Sequence, residues 1–300
     1  MSDYLIWPHE PELNQEVPEW YHQGSNICLD FHGDPANSQL VIFSDGNHHM
    51  ALAGAVTEFQ MRNSGLEGIF YATTPPGVLV DTVKDGRLHL GNLRLSIQPH
   101  VFISPEPIMK RLLSLGVISS CQEFMQSRGN VLLVRKNNPE NIQDIRDLLR
   151  TDVRLFISNP ETEAASYNVY KNTLLAVAGE QGLSSNDINA CLDPELSNIV
   201  YGRKIHHREA PQAIYEENAD AAIVYYHLAL RYTRIFPEAF EFVSLTGAGH
   251  DPATEAGNEK TTYYIAKMNE PGMYGQQFID FCMSDKVAAI YALHGLQQPE

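Results

Sequence analysis

From Leu40 the chain repeats one pattern: a short apolar run, a polar loop, then apolar residues recurring every three or four positions. The first unit is Leu40-Val41-Ile42-Phe43, the loop Ser44 to His49, and a stretch in which Leu52, Val56 and Phe59 share one helical face. The second runs Ile69-Phe70-Tyr71, then Thr73-Thr74-Pro75-Pro76-Gly77, then a short helix ending near Gly86. A strand at Val101 to Ser104 leads into Pro105-Glu106-Pro107, which opens a helix with Ile108, Leu112 and Leu115 inward. Further strands are predicted at Val131 to Val134, Arg154 to Ile157, Ala221 to Tyr225, Glu241 to Ser244 and Thr262 to Ala266, with helices in most gaps. This alternation predicts an α/β protein with largely parallel sheets covered on both faces. Ligands of such sheets sit at the carboxyl ends of the strands, so function is expected in these loops.

The first 37 residues break the pattern, because Pro8, Pro11, Pro18 and Pro35 interrupt any regular element. They read as a surface arm, residues 1–37. Three hundred residues exceed what one compact core usually spans, so two domains are expected. With 43% apolar and 19% charged residues, fibrous and largely disordered classes are excluded. The net charge of −16 repels a phosphate backbone, which argues against a nucleic-acid partner. The longest apolar runs, such as Val131 to Val134, fall far short of the ~20 residues of a membrane span. Cys28, Cys121, Cys191 and Cys282 lie far apart, with no CxxC pair, and read as reduced thiols. The acidic, proline-bearing start lacks the basic residues and continuous apolar stretch of a secretory leader, so a cytoplasmic location is expected.

Six segments in order carry a family resemblance: FSDGNHHMALAGAVTEF, VFISPEPIMKRLLSLGVI, NVLLVRKNNPENIQDIRDLL, VRLFISNPETEAASYNVYKN, ENADAAIVYY and FCMSDKVAAIYALHGL. The chain from about Leu40 to Leu296 resembles the type II periplasmic solute-binding proteins, particularly their molybdate-binding branch, with the ferric-binding branch second. The resemblance implies two α/β lobes joined by two crossovers, with a ligand in the cleft between them. One lobe would comprise residues 38–118 and 226–300, the other residues 119–225; the arm has no counterpart. These relatives are normally exported, whereas this chain shows no leader. The expectation is therefore a cytoplasmic binder or sensor, with a transporter or regulatory protein as partner.

The candidate site residues fall in the loops. Ser44 to His49 stands between a strand and a helix, where backbone N–H groups can hold an anion. The resemblance puts Asn47 near a ligand-binding serine and draws a further hydroxyl from Thr73 or Thr74, although Pro75 and Pro76 delete two N–H donors there. Ser158 to Thr162 reads as a capped helix start, with Asn159 or Ser158 as the cap. By resemblance this is the ligand loop of the second lobe, so Asn159 and Thr162 are candidates. Tyr225 occupies the position of a ligand-binding tyrosine, followed by Tyr226. In the ferric-binding branch adjacent tyrosines join a histidine and a glutamate, and His48 and Glu106 stand at about those places. Two phenolates, an imidazole and a carboxylate suit a hard cation. His206-His207-Arg208 precedes a helix expected near Ala210; Arg208 could give a bidentate fork to an oxyanion, either His206 or His207 could donate hydrogen bonds or bind metal, and His49 joins them as a ligand-binding candidate.

No GxSxG elbow, P-loop, HExxH helix or dinucleotide fingerprint is present. A binding protein without a cofactor is therefore expected, with an enzyme on the same fold as the competing class. The ligand expected is a small tetrahedral oxyanion of the molybdate or tungstate type; the alternative is a ferric or transition-metal ion held by His48, Glu106, Tyr225 and Tyr226.

Overall fold

A computed structural model describes residues 30–90, 93–195, 198–203, 205–247 and 249–299. The expected arm, up to residue 29, lies outside the described residues. In chain order the protein forms β1 (Phe31–His32), β2 (Leu40–Ser44), α1 (His49–Arg62), β3 (Ile69–Ala72), α2 (Pro76–Asp85), β4 (Leu88–Leu90), β5 (Leu93–Leu95), β6 (Val101–Pro105), α3 (Glu106–Ser114) and β7 (Gln122–Ser127). There follow β8 (Asn130–Arg135), β9 (Leu155–Ile157), α4 (Ala164–Glu180), α5 (Ser185–Cys191), β10 (Val200–Tyr201), α6 (His206–Tyr215), β11 (Ala221–Tyr225), α7 (Tyr226–Ile235) and β12 (Phe240–Ser244). The last elements are β13 (Thr262–Lys267), α8 (Gly275–Cys282), α9 (Asp285–Leu293) and β14 (Leu296–Gln297).

Two mixed sheets define two lobes. The first has the order β1-β3-β2-β6-β13-β7-β14, with β2 parallel to both β3 and β6. The second has the order β10-β9-β11-β8-β12, with β9 parallel to β10 and β11. β2 is buried along its whole length because both faces are covered. Leu40 and Ile42 pack with Leu52, Val56 and Phe59 of α1, whereas Val41 and Phe43 pack with Leu79 and Val80 of α2 and Met109 and Leu112 of α3. In the second lobe, Val131 to Val134 and Ala221 to Val224 form the centre of a separate core. Among the described residues, no helix is long and apolar enough to cross a membrane.

The chain changes lobe later than expected at both crossovers. β7 still pairs with β13 in the first sheet, so the first crossover lies between Ser127 and Asn130 rather than at 118/119. β12 pairs with β8, so the return lies between Ser244 and Thr262 rather than at 225/226. Gln122, Glu123 and Gln126 hide β7 from an apolar-run criterion, and α7 following β11 directly resembles a change of lobe. The last residues of the predicted arm are also not loose: Phe31 and His32 pair antiparallel with Ala72 and Tyr71, extending the first sheet. Gly33 permits this approach, with φ at 89° and a position where a Cβ would lie 2.1 Å from the Ile69 carbonyl oxygen.

Candidate functional site between the lobes

The loop after β2 is built for close approach. Asp45 caps the 3-10 turn Gly46–His48, its Oδ1 accepting the Asn47 N–H at 2.8 Å, and its own N–H donates to the Ile103 carbonyl at 2.8 Å. A Cβ on Gly46 would lie 2.3 Å from the Thr73 carbonyl oxygen, so the loops after β2 and β3 meet only because residue 46 has no side chain. Burial raises the Asp45 carboxyl to about 6.

His48 is 0% exposed and turns into the first lobe. Its Nε2 lies 3.2 Å from Ser44 Oγ and its Nδ1 3.0 Å from the Tyr291 hydroxyl. Because the Ser44 hydroxyl donates to the Asp45 carbonyl at 3.0 Å, it accepts from His48 Nε2–H, which leaves Nδ1 to accept from Tyr291. Burial, with smaller contributions from His227 and His49, lowers His48 to about 3, so the ring is neutral. Both ring nitrogens are thus engaged inside the protein, which takes His48 away from the ligand role expected of it. His49 donates from Nδ1 to the Gly46 carbonyl at 2.8 Å, and burial brings it to about 4.

In the second lobe, α6 begins at His206 rather than near Ala210. The His206 N–H meets both oxygens of Glu163 at 3.1 Å, and burial raises that carboxyl to about 7. The His206 ring lies between Phe156 and Tyr170, with centroids at 5.5 and 5.0 Å, and neither ring nitrogen has a hydrogen-bond partner. His207 is held well below its usual range by burial, then by Arg208 and the neighbouring imidazoles. Arg208 crosses to the first lobe, where its Nη2 pairs with Asp30; the two side chains are 14% and 11% exposed. Burial raises Asp30 to about 6 against the opposing pull of Arg208.

The two tyrosines diverge. Tyr225 stacks on His227 at 5.3 Å and places its hydroxyl 3.2 Å from Thr261 Oγ1. Tyr226 packs instead against Phe242 and under the Arg128 guanidinium, each at 5.5 Å. Glu106 is half exposed, paired with Lys110 at 2.9 Å, and acts on Tyr264, which lies on the sheet face opposite Tyr263 and His48. The set His48, Glu106, Tyr225 and Tyr226 is therefore not brought together. Among the described residues, no group of three or more His, Cys, Asp or Glu could hold a metal ion.

Thr73 and Thr74 are buried beside the first loop, and the Thr73 N–H donates to the Asp30 carbonyl at 2.8 Å. Asn159 accepts the Glu161 N–H at 2.8 Å as a turn cap, and Thr162 is exposed. An open concavity in the second lobe, lined by Leu148, Thr151, Asp187, Cys191 and Asn198, involves none of these groups.

Sequence reasoning missed Asp30, Asp45, His227 and Tyr263. His227 is 0% exposed, with neither ring nitrogen in a hydrogen bond of good geometry. Burial lowers it to about 3, while the Asn47 backbone favours its charged form. The buried Tyr263 hydroxyl is also unpartnered and feels the Asp45 carboxylate. A histidine two residues after Tyr225, at the start of α7, was the available signal for His227. The unpartnered Tyr263 hydroxyl is a group a bound molecule can satisfy, and Arg208 adds a fixed positive charge with a planar fork.

Comparison with known structures shows the same architecture. PEB3 of Campylobacter jejuni superposes with a TM-score of 0.61 at 15% identity over 87% of this chain and 100% of that one. The periplasmic molybdate-binding protein of Azotobacter vinelandii gives 0.60 at 15% identity, covering 87% and 100%. The sulfate-binding protein SubI of Mycobacterium tuberculosis H37Rv gives 0.63 at 17% identity, covering 87% of each. At such identities the likeness is one of fold. A comparison with curated protein sequences gave no match. The family model for bacterial extracellular solute-binding proteins matches residues 40–297. This overturns the expected cytoplasmic location, which rested only on a pattern missing from the first residues. With six ordered segments, two lobes and a match spanning nearly all of both, the chain belongs to the bacterial extracellular solute-binding proteins, on the type II periplasmic-binding-protein fold.

Proposed function

We propose that the protein encloses a small tetrahedral oxyanion between its lobes and hands it to an ABC transporter, without transforming it. The observation that carries this reading is Arg208, a largely buried guanidinium reaching from the second lobe to the first. A guanidinium offers five donors in a planar fork that matches oxyanion geometry. The neutral imidazole of His227 and the Tyr263 hydroxyl add donors that need no counter-charge, and closure removes water from these contacts. Molybdate and tungstate, expected from the sequence, belong to this ligand class. The two-lobed arrangement supports closure by hinge motion at the two crossovers. A thermal-shift panel of molybdate, tungstate, sulfate, phosphate and ferric citrate tests it. A ligand confined to the folded state, at a hundred times its Kd, adds about 2.7 kcal/mol. At least one oxyanion should raise the melting temperature; a rise with ferric citrate alone would refute the reading.

A further inference from the structure

Asp30 precedes residue 40, where the family match begins, yet its side chain pairs with Arg208 of the other lobe. Its backbone is fixed to the first lobe. β1 continues directly from it into the sheet, the Thr73 N–H holds its carbonyl, and the His32 ring stacks on Tyr71 with centroids 4.3 Å apart. From this anchor the Asp30 side chain crosses to Arg208 on α6 of the other lobe. Three imidazoles share the neighbourhood: His32, His49 and His207 all interact with Arg208, and all are held neutral by burial. Among the described residues, Asp30 is an acidic partner of this guanidinium.

A carboxylate and an oxyanion ask the same thing of a guanidinium: donors along its edge, opposite charge and little water. We propose that Asp30 is a built-in competitor for the ligand, occupying Arg208 until an oxyanion displaces it and so setting the affinity of the cleft from outside the family domain. The inference rests on the oxyanion reading of that cleft. In the empty protein the ion pair joins the two lobes; on binding, Arg208 exchanges one anionic partner for another, and affinity reports only the difference. The segment before residue 40 then acts as an affinity setting for the binding domain.

The test is calorimetric titration of the full chain with the sodium salts of molybdate, tungstate, sulfate and phosphate, for wild type, Asp30→Asn, Asp30→Ala and Asp30→Asn/Arg208→Ala. Relief of a charge-assisted contact corresponds to an affinity gain of about tenfold or more. Asp30→Asn and Asp30→Ala should bind tighter than wild type by that factor, and adding Arg208→Ala should abolish the gain. Unfolding temperatures of the same samples establish that each variant is folded. Equal or weaker binding by both folded Asp30 variants overturns the competition. Absence of binding of molybdate, tungstate, sulfate and phosphate alike by wild type and variants overturns the oxyanion reading itself.

Discussion

Tyr232 of α7 donates its hydroxyl to the carbonyl of His207 in α6. The residue that would normally serve that carbonyl, four positions on, is Pro211, which has no N–H to give. The tyrosine repairs the vacancy from the next helix, and the HHRE run can therefore be the first turn of α6, with Arg208 aimed across the cleft. Tyr232→Phe should cost about 1–3 kcal/mol in urea unfolding, because the part-buried His207 carbonyl loses its donor. In a Pro211→Ala background the same change should cost less, since the restored N–H takes over. Equal costs in the two backgrounds would refute the repair.

A second long connection runs from Tyr291 through His48 to Ser44 and ties α9 to the loop after β2. Tyr291→Phe leaves Nδ1 of a fully buried imidazole without its donor. The expected loss is about 1–3 kcal/mol in chemical denaturation. A change of a few tenths would show that the relay is not in place.

Acid should unfold the protein below neutrality. His32, His48, His49, His206 and His227 fall to between about 3 and about 4 in the folded state, and His207 falls well below its usual value. The unfolded chain therefore takes up protons below about 6.5 that the folded chain refuses, and each such proton shifts stability by about 1.4 kcal/mol per pH unit. Asp30 and Asp45, raised to about 6, and Glu163, raised to about 7, act in the opposite sense, stabilising as pH falls. Six imidazoles outweigh three carboxyls, so unfolding free energy measured from pH 7 to 4.5 should fall. A flat profile would mean that these histidines are not buried neutral.

In the proposed oxyanion site, Asp45 is a carboxylate that opposes the anion. Replacing it with asparagine should strengthen sulfate or molybdate binding at pH 8 several-fold. Wild-type affinity for sulfate should rise as pH falls through about 6, where Asp45 and Asp30 become neutral together. The Asp45→Asn variant should show a shallower rise. An unchanged profile would place Asp45 away from the ligand.

Much of the fold was legible because β2, β8, β9 and β11 are short apolar runs, and burial on both faces demands such runs. β7 was not, since its polar residues mask it, and β1 is only two residues long. The loops of the site were legible as strand ends. Their side-chain partners were not: Tyr291 is 243 residues from His48, and Asp30 is 178 from Arg208, so no local pattern announces either pair. The start of α6 was also not legible, because Pro211 lies inside the helix and its missing N–H is compensated by the hydroxyl of Tyr232, 25 residues beyond His207.

The most direct test of oxyanion binding between the lobes is the anomalous scattering of arsenate in crystals grown with it at saturation. One arsenic peak is expected in the cleft, within hydrogen-bond distance of the Arg208 guanidinium and facing the loop after β2. A peak only on the outer surface, or none despite saturation, would contradict the account.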